Sequence, residues 1–438
     1  MDVSAPRVAD PLLRSDLDSF KLARLRALLA EILPGNAFYA AKLSRVDVAG
    51  LASLDDLADW PFTFKEELVE AAGHEGLPGN LTWPLERYVR FHQTSGTHGR
   101  PLPVFDTPAD WAWWMDCWRL IVERGRIVPG DRVLVASSFG PYAGFWSGFD
   151  AFVHAGALTI PAGGMPSLGR LQLARRLAAT VLVATPSYAL HLAEVAEEHK
   201  IDLAATPVRL VIVVGEPGGS IPATRARIAE RWGAEVLDHA GATEVGPWGV
   251  GDVAGGGLDV IEPFFHPEFL AVDTGRPARS GELAELVLTT LGRSGAPVIR
   301  YRTGDVVRPV WPDDEPIAGR CPWVHLEGGI LGRADDMLVI RGVNIFPGAI
   351  DDIVRSFPEV IEHRLTVSTR GSLDVMALEI EDRLDTPARV AEELKLRLGL
   401  KVEVTTVPTG SLPRFEGKGR RLIDTRAGRG ASKEEQPT

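Results

Sequence analysis

Cysteine is nearly absent, with Cys117 and Cys321 the two in 438 residues. Two thiols so far apart give neither a disulfide framework nor a zinc ribbon, and the expectation is a reduced, cytosolic chain. Long apolar runs are missing too. The longest, such as Leu210-Val211-Ile212-Val213-Val214, fall far short of a membrane span, and Met1–Arg7 lacks the apolar core of a signal peptide. A cytoplasmic protein without membrane contact is expected. Nor is there an excess of basic charge. The 47 Lys and Arg against 59 Asp and Glu leave a formal net charge of −12, which repels nucleic acid and anionic surfaces overall but allows a local basic pocket for phosphate.

What remains is ordinary globular composition, 45% hydrophobic and 24% charged, enough apolar mass for two or three folding units. Helical periodicity runs through Phe20, Leu25, Leu28, Leu29 and Ile32 up to Pro34-Gly35. Thr63-Phe64-Lys65-Glu66 has capping-box spacing, and Thr107-Pro108-Ala109-Asp110 opens a helix whose stripe of Trp111, Trp114, Met115, Trp118, Ile121 and Val122 reads as core. From 133 to 237 short β-branched runs alternate with helical ones, as in βα units around a mostly parallel sheet. Residues 250–280, rich in Gly, Asp and Pro, read as an excursion from that sheet. Beyond about 332 a helix, two strands, a helix and a strand make a compact α+β unit, and the polar tail from Ala427 is expected to be disordered.

The strand ending at His92 runs into Gln93-Thr94-Ser95-Gly96-Thr97-His98-Gly99-Arg100. Glycines let backbone N–H groups converge on an anion, while hydroxyls and arginine add donors. No Gly-Lys-Ser/Thr closes the loop, so it is not a Walker A loop. In open α/β sheets ligands bind at the carboxyl ends of strands, where this loop would meet 137–146 and 215–219. The run Asp238-His239-Ala240-Gly241-Ala242-Thr243-Glu244 offers a carboxylate just past a strand end, which suits Mg²⁺ shared with a nucleotide. His239 is read as a hydrogen-bonded core or rim histidine. The strand-like run Ala296–Ile299 leads to Arg300-Tyr301-Arg302-Thr303-Gly304-Asp305, read as ending in a turn. Gly332-Arg333-Ala334-Asp335-Asp336-Met337 follows, and the two stretches read as a joint between domains.

These pieces, in this order, resemble the adenylate-forming superfamily of acyl-CoA synthetases, and within it the phenylacetate–CoA ligase branch. The resemblance rests on Arg300–Asp305, Gly332–Pro347 and Pro413–Arg421 and covers the chain to about residue 426. It implies an α/β fold: a large N-terminal domain (1–332) with mostly parallel sheets flanked by helices, and a small mobile α+β domain (333–426). The implied chemistry forms an acyl-adenylate from MgATP and a carboxylic acid, then passes the acyl group to coenzyme A. A carrier protein or an amine is the alternative acceptor, and a non-catalytic nucleotide-binding relative is the competing class.

Carried over residue by residue, Thr94, Ser95, Gly96, Thr97, Gly99 and Arg100 would hold the β- and γ-phosphates. Gly215, Glu216 and Pro217 would flank the adenine, with Asp238, Gly241 and Thr243 beside the nucleotide. Asp305 would accept the ribose hydroxyls, Glu244 would hold Mg²⁺, and Arg333 would reach the ribose or phosphate. Lys418 would bridge the acid and the α-phosphate, with Asp335 as the hinge that swings its loop. Phe139, Tyr142, Phe145, Trp146 and Ala240 would line the acid's pocket. The chain departs from its relatives in three places: His98 for threonine, Arg100 for lysine, and Ala240 for a tyrosine that stacks on adenine. Relatives imply a homodimer. Cys321 has no partner cysteines, and zinc with His266 or His325 is not expected.

Overall fold

The computed structural model describes residues 14–70, 77–94, 101–312, 322–334, 338–340, 343–370, 373–415 and 421–426. Helix α1 (Arg14–Ile32) buries Leu17, Leu25, Leu28, Leu29 and Ile32, the face its period predicts. Pro34-Gly35 ends it, and α2 (Ala37–Lys42) restarts with Asn36 Oδ1 accepting Tyr39 N–H. The box at Thr63 is displaced by one residue. Thr63 is buried and donates its hydroxyl to Ile299 O, while Glu67 accepts Phe64 N–H at the start of α3 (Lys65–Glu70).

A hairpin follows, β1 (Arg90–Gln93) with β2 (Pro103–Asp106). Helix α4 (Pro108–Arg124) begins at Thr107 as its sequence predicts: Thr107 and Asp110 exchange bonds of 3.1 and 2.9 Å, and Trp111, Trp113, Trp114 and Trp118 are buried. The alternating region then gives β3 (Arg132–Val135), α5 (Ala143–His154), β4 (Leu158–Pro161), α6 (Ser167–Arg176), β5 (Val181–Ala184), α7 (Pro186–Glu198), β6 (Leu210–Val214), α8 (Pro222–Trp232) and β7 (Glu235–Ala242). Strands β4-β3-β5-β6-β7 lie side by side and parallel.

Residues 250–280 are not an excursion. Strands β8 (Gly246–Gly251) and β9 (Gly257–Val260) continue the same sheet in antiparallel fashion. Strand β10 (Phe265–Ala271) opens a second, antiparallel sheet, β10-β11-β12-β15, with β11 (Ala284–Thr290) and β12 (Tyr301–Val307). Glycine and proline misled the reading because both are tolerated where strands turn back on themselves. The run Ala296–Ile299 is irregular, and the strand begins at Tyr301, so Asp305 lies within β12 rather than in a turn. Strands β13 (Pro309–Val310) and β14 (His325–Glu327) complete the edge of the first sheet, and β15 (Gly332–Arg333) pairs with β12.

From β16 (Leu338–Ile340) the apolar residues belong to a separate core. It is shared with β17 (Val343–Ile345), α9 (Pro347–Arg355), β18 (Val360–Arg370), β19 (Leu373–Asp382), α10 (Pro387–Leu398), β20 (Glu403–Thr406) and β21 (Leu422–Asp424). This smaller lobe rests on α7 and α8 of the larger one. Ala223 N–H meets Asp352 Oδ1 at 3.4 Å, Arg227 Nη1 meets Val360 O at 3.1 Å, and Arg414 Nε lies 3.5 Å from Glu194 Oε2.

Candidate active site

The carboxyl ends of β6 and β7 and the strand β12 of the second sheet converge. Gly215, at φ +97°, turns the chain out of β6. Glu216 then points back at the start of α7, where its Oε1 accepts Ser187 N–H at 2.7 Å and the Ser187 hydroxyl. Next door, β7 runs through Asp238 to Ala242, so these residues are strand rather than the loop beyond one. Asp238 turns inward: its Oδ2 accepts Ser220 Oγ–H at 2.5 Å and its Oδ1 accepts His239 N–H at 3.0 Å. Burial pushes its pKa up to about 6, and the carboxylate serves the fold instead of facing a ligand. A Cβ on Gly219 would stand 2.5 Å from Asp238, which is why glycine occupies that position.

His239 Nδ1–H donates to Gly249 O over 2.7 Å and the ring packs on Trp118, and burial lowers its pKa to about 4. It is the core histidine that its sequence context predicts. Ala240 is 5% exposed within the main core and faces Gly249, so it offers no open wall to a pocket. Gly241 and Thr243 follow at the exposed and half-buried rim.

Glu244 is the carboxylate best placed for chemistry. Tyr301 Oη donates to its Oε1 at 2.8 Å, and Lys65 Nζ lies 3.9 Å away. Its backbone carbonyl accepts Arg293 Nη1 at 2.7 Å. Arg293 is fully buried and also holds Asp106 on β2, with Nε and Nη2 at 2.9 and 2.6 Å from Oδ1. Burial would raise Asp106, but the guanidinium outweighs it and keeps the carboxyl below its usual range. One buried arginine therefore ties the return strand of the β1–β2 hairpin to the turn that carries Glu244. The hairpin's own loop is closed by Thr94, whose N–H bonds Leu102 O and whose hydroxyl accepts Leu102 N–H at 2.9 Å. Ser95 to Arg100, including Gly96, Thr97 and Gly99, lie outside the described residues.

At the other end of β12, Asp305 pairs in register with Arg333, whose Nη1 is 3.5 Å from Asp305 Oδ1 and 3.0 Å from Thr303 O. Gly304 makes this close approach feasible: at φ +75° a Cβ would stand 2.6 Å from Arg333 Nη2. Arg300, first of the same stretch, has a structural job. It is buried, bonds Glu268 and the carbonyls of Ala58 and Trp60, and lies 4.1 Å over the Phe62 ring.

The aromatic group splits. Phe139 packs edge-on to Trp146 at 4.8 Å, and Tyr142 and Trp146 are each about two-fifths exposed. Phe145 and Trp146 belong to α5 rather than to the loop before it, and Phe145 packs on the core. Among the described residues no cluster of three or more His, Cys, Asp or Glu could hold a metal ion by itself. A single carboxylate such as Glu244 suits Mg²⁺, which takes one or two protein oxygens and completes its shell with phosphates and water. His325 is engaged with Asp259 at 2.8 Å.

In the smaller lobe Asp335 and Lys418 lie outside the described residues, but the flanks of the latter's segment are defined. Glu362 and Glu381 stand opposite each other on β18 and β19. Two like charges there would repel, and each has its own arginine. Arg421 grips Glu362 with bonds of 2.6 and 3.0 Å, and Arg414 grips Glu381 at 2.7 and 3.2 Å. Burial would raise Glu362, yet Arg421 holds it at about 2. Tyr301, Arg293 and Lys65 had no role in the sequence reading. Arg293 gave no signal beyond a lone arginine after an apolar run, whereas Tyr301 sits inside the most specific motif.

No described helix is long and apolar enough to cross a membrane. Two family models match this chain, "AMP-binding enzyme" over residues 60–290 and "AMP-binding enzyme C-terminal domain" over 342–426. A phenylacetate–coenzyme A ligase of Escherichia coli is 31% identical over 436 residues, covering 94% of this chain and 95% of that protein. Among solved structures, a 2-hydroxyisobutyryl-CoA ligase in the postadenylation state with 2-HIB-AMP superposes with a TM-score of 0.89 at 29% identity, covering 95% and 91% of the two chains. The same ligase in its thioesterification state, with 2-HIB-AMP and CoA, gives 0.71 at 29% identity and 96% and 92% coverage. The postadenylation structure superposes the better of the two. By sequence and fold together, the chain belongs to the AMP-binding enzyme family, in the branch of the phenylacetate–CoA ligases.

Proposed function

We propose that this protein is an ATP-dependent carboxylic acid–CoA ligase acting on an aromatic or otherwise apolar acid, phenylacetate or a relative of it. The carboxylate attacks the α-phosphorus of ATP and pyrophosphate leaves; the sulfur of coenzyme A then attacks the acyl carbon and AMP leaves. The difficulty is bringing an anion against a polyanion, so cationic and N–H groups must converge where charge accumulates.

Thr94 and the loop after it are assigned to the β- and γ-phosphates. Glu244, oriented by Tyr301 and by the Arg293 bond to its carbonyl, is assigned to Mg²⁺, which would neutralise phosphate charge when bound. Asp305, with Arg333 beside it, is assigned to the ribose, Glu216 and its neighbours to the adenine edge, and Lys418 to the acid and α-phosphate. Phe139, Tyr142 and Trp146 are assigned to the acid's hydrocarbon, with Phe145 and Ala240 behind them in the core.

The observation that carries this reading is that β12 bears both pairs, Glu244 against Tyr301 at one end and Asp305 against Arg333 toward the other, in a chain related over nearly its whole length to acid–CoA ligases. The test is acid-dependent exchange of labelled pyrophosphate into ATP, with hydroxylamine trapping across a panel of acids. Exchange with an aryl acid that Lys418→Ala abolishes supports the proposal. Nucleotide binding without exchange for any acid would refute it in favour of a binding protein.

A further inference from the structure

The lobe interface contains a carboxylate that the reaction as assigned above does not use. Glu194, on α7 of the larger lobe, faces the Arg414 guanidinium of the smaller lobe, with Nε at 3.5 Å, and His191 Nδ1 of its own helix stands 3.7 Å away. Arg227, half-buried on α8, also feels its charge. Arg414 stands four residues before Lys418 in the sequence. Its guanidinium does two things at once: it grips Glu381 of its own lobe, and its Nε side turns toward Glu194.

We propose that Glu194 is a positioning residue for adenylation, receiving Arg414 so that the smaller lobe, and the lysine that follows, is seated for the first half-reaction. The proposal rests on the ligase reading. The Arg414–Glu381 pair lies within one lobe and travels with it. The Arg414–Glu194 pair spans two lobes, so rotating one lobe against the other breaks it. A contact made in one orientation and not the other shifts the balance between them by its own free energy. Arg383 Nη2, 3.4 Å from Glu197 Oε2, and the Arg227 bond to Val360 O span the same seam, but Glu197 is already paired with Arg231. Of these three contacts, the one to Glu194 involves the arginine nearest in sequence to the proposed catalytic lysine.

The test separates the half-reactions in the full-length enzyme. Glu194→Gln should lower acid-dependent pyrophosphate exchange about two- to fivefold. Thioester formation from supplied acyl-adenylate and coenzyme A should be unchanged or faster. Raising ionic strength should narrow the gap between variant and wild type, since a partly exposed pair is screened. Glu198→Gln, at an exposed position on the same helix, should alter neither half-reaction. Equal losses in both half-reactions, or wild-type exchange in Glu194→Gln, would overturn the role of Glu194 alone. Absence of exchange in the wild type with every acid would instead remove the ligase reading beneath it.

Discussion

Replacing Arg293 by methionine removes the charge that does most to hold down a carboxylate with no access to water. Asp106 would keep Trp114 Nε1 at 3.2 Å, while His92 Nδ1, at 3.8 Å, is beyond hydrogen-bond reach. Breaking a buried ion pair from one side typically costs about 3–5 kcal/mol, because the survivor stays charged and desolvated. Asp106→Asn should cost a similar amount from the other side, stranding the guanidinium. Together the two changes remove both members of the pair, and the double variant should lose clearly less than the sum of the single variants, a strongly non-additive cycle; what it still loses belongs to buried Asp110, which Arg293 also steadies. Urea denaturation followed by tryptophan fluorescence reads it, since Trp114 donates to Asp106 and lies against Arg293, and Trp111, Trp113 and Trp118 are buried on the same helix. The double variant also isolates function from stability. It still lacks the bond to Glu244 O, so half-maximal pyrophosphate exchange should need more Mg²⁺ than in wild type while the KM of the acid is unchanged. Additive losses, or a single variant costing under about 1 kcal/mol, would refute the reasoning.

Other expectations follow from the same site. His239 has a folded pKa near 4 against an ordinary 6.5, so the unfolded chain binds the extra proton between those values. Its contribution is fully present above pH 6.5 and is lost as pH falls toward 4, at up to ~1.4 kcal/mol per pH unit; His239→Gln should flatten that slope in pH-dependent denaturation. Gly304→Ala forces a side chain into φ +75° against Arg333. It should cost about 1–2 kcal/mol of stability and raise the KM for ATP, read by thermal shift and exchange kinetics. Trp146→Ala, removing an indole that is 39% exposed beside Phe139, should raise the KM of an aryl acid several-fold and leave that of ATP alone. Unchanged acid selectivity would place the acid elsewhere.

The alternating half of the larger lobe was legible because buried parallel strands and amphipathic helices have distinct periods, and α4 announced itself through Thr107, Pro108 and Asp110. The second sheet was legible in part. Its strand β11 is a plain apolar run free of glycine and proline, whereas β10 carries Pro267 and β12 contains the φ-positive Gly304, which local rules read as a turn. In the site, motif order singled out Glu244, which the fold sets in the turn after β7 against Tyr301, and Asp305, which it sets in β12 beside Arg333, but gave no sign that Asp238 turns into the protein. Arg293 was invisible for a physical reason: its partners Asp106 and Glu244 are 187 and 49 residues away, and no local pattern encodes such a contact.

The opposed Glu362 and Glu381 have a consequence for how the lysine-bearing segment can evolve. Arg414 and Arg421 land on residues that sit about 5 Å apart across two strands, so the segment leaves and re-enters the lobe at nearly one point, fixed by strand register. Insertions or deletions between those arginines would change how far its tip extends while leaving its base untouched. Reach and anchorage are thus separately adjustable, and an enzyme accommodating a longer or shorter acid could alter one without refolding the other.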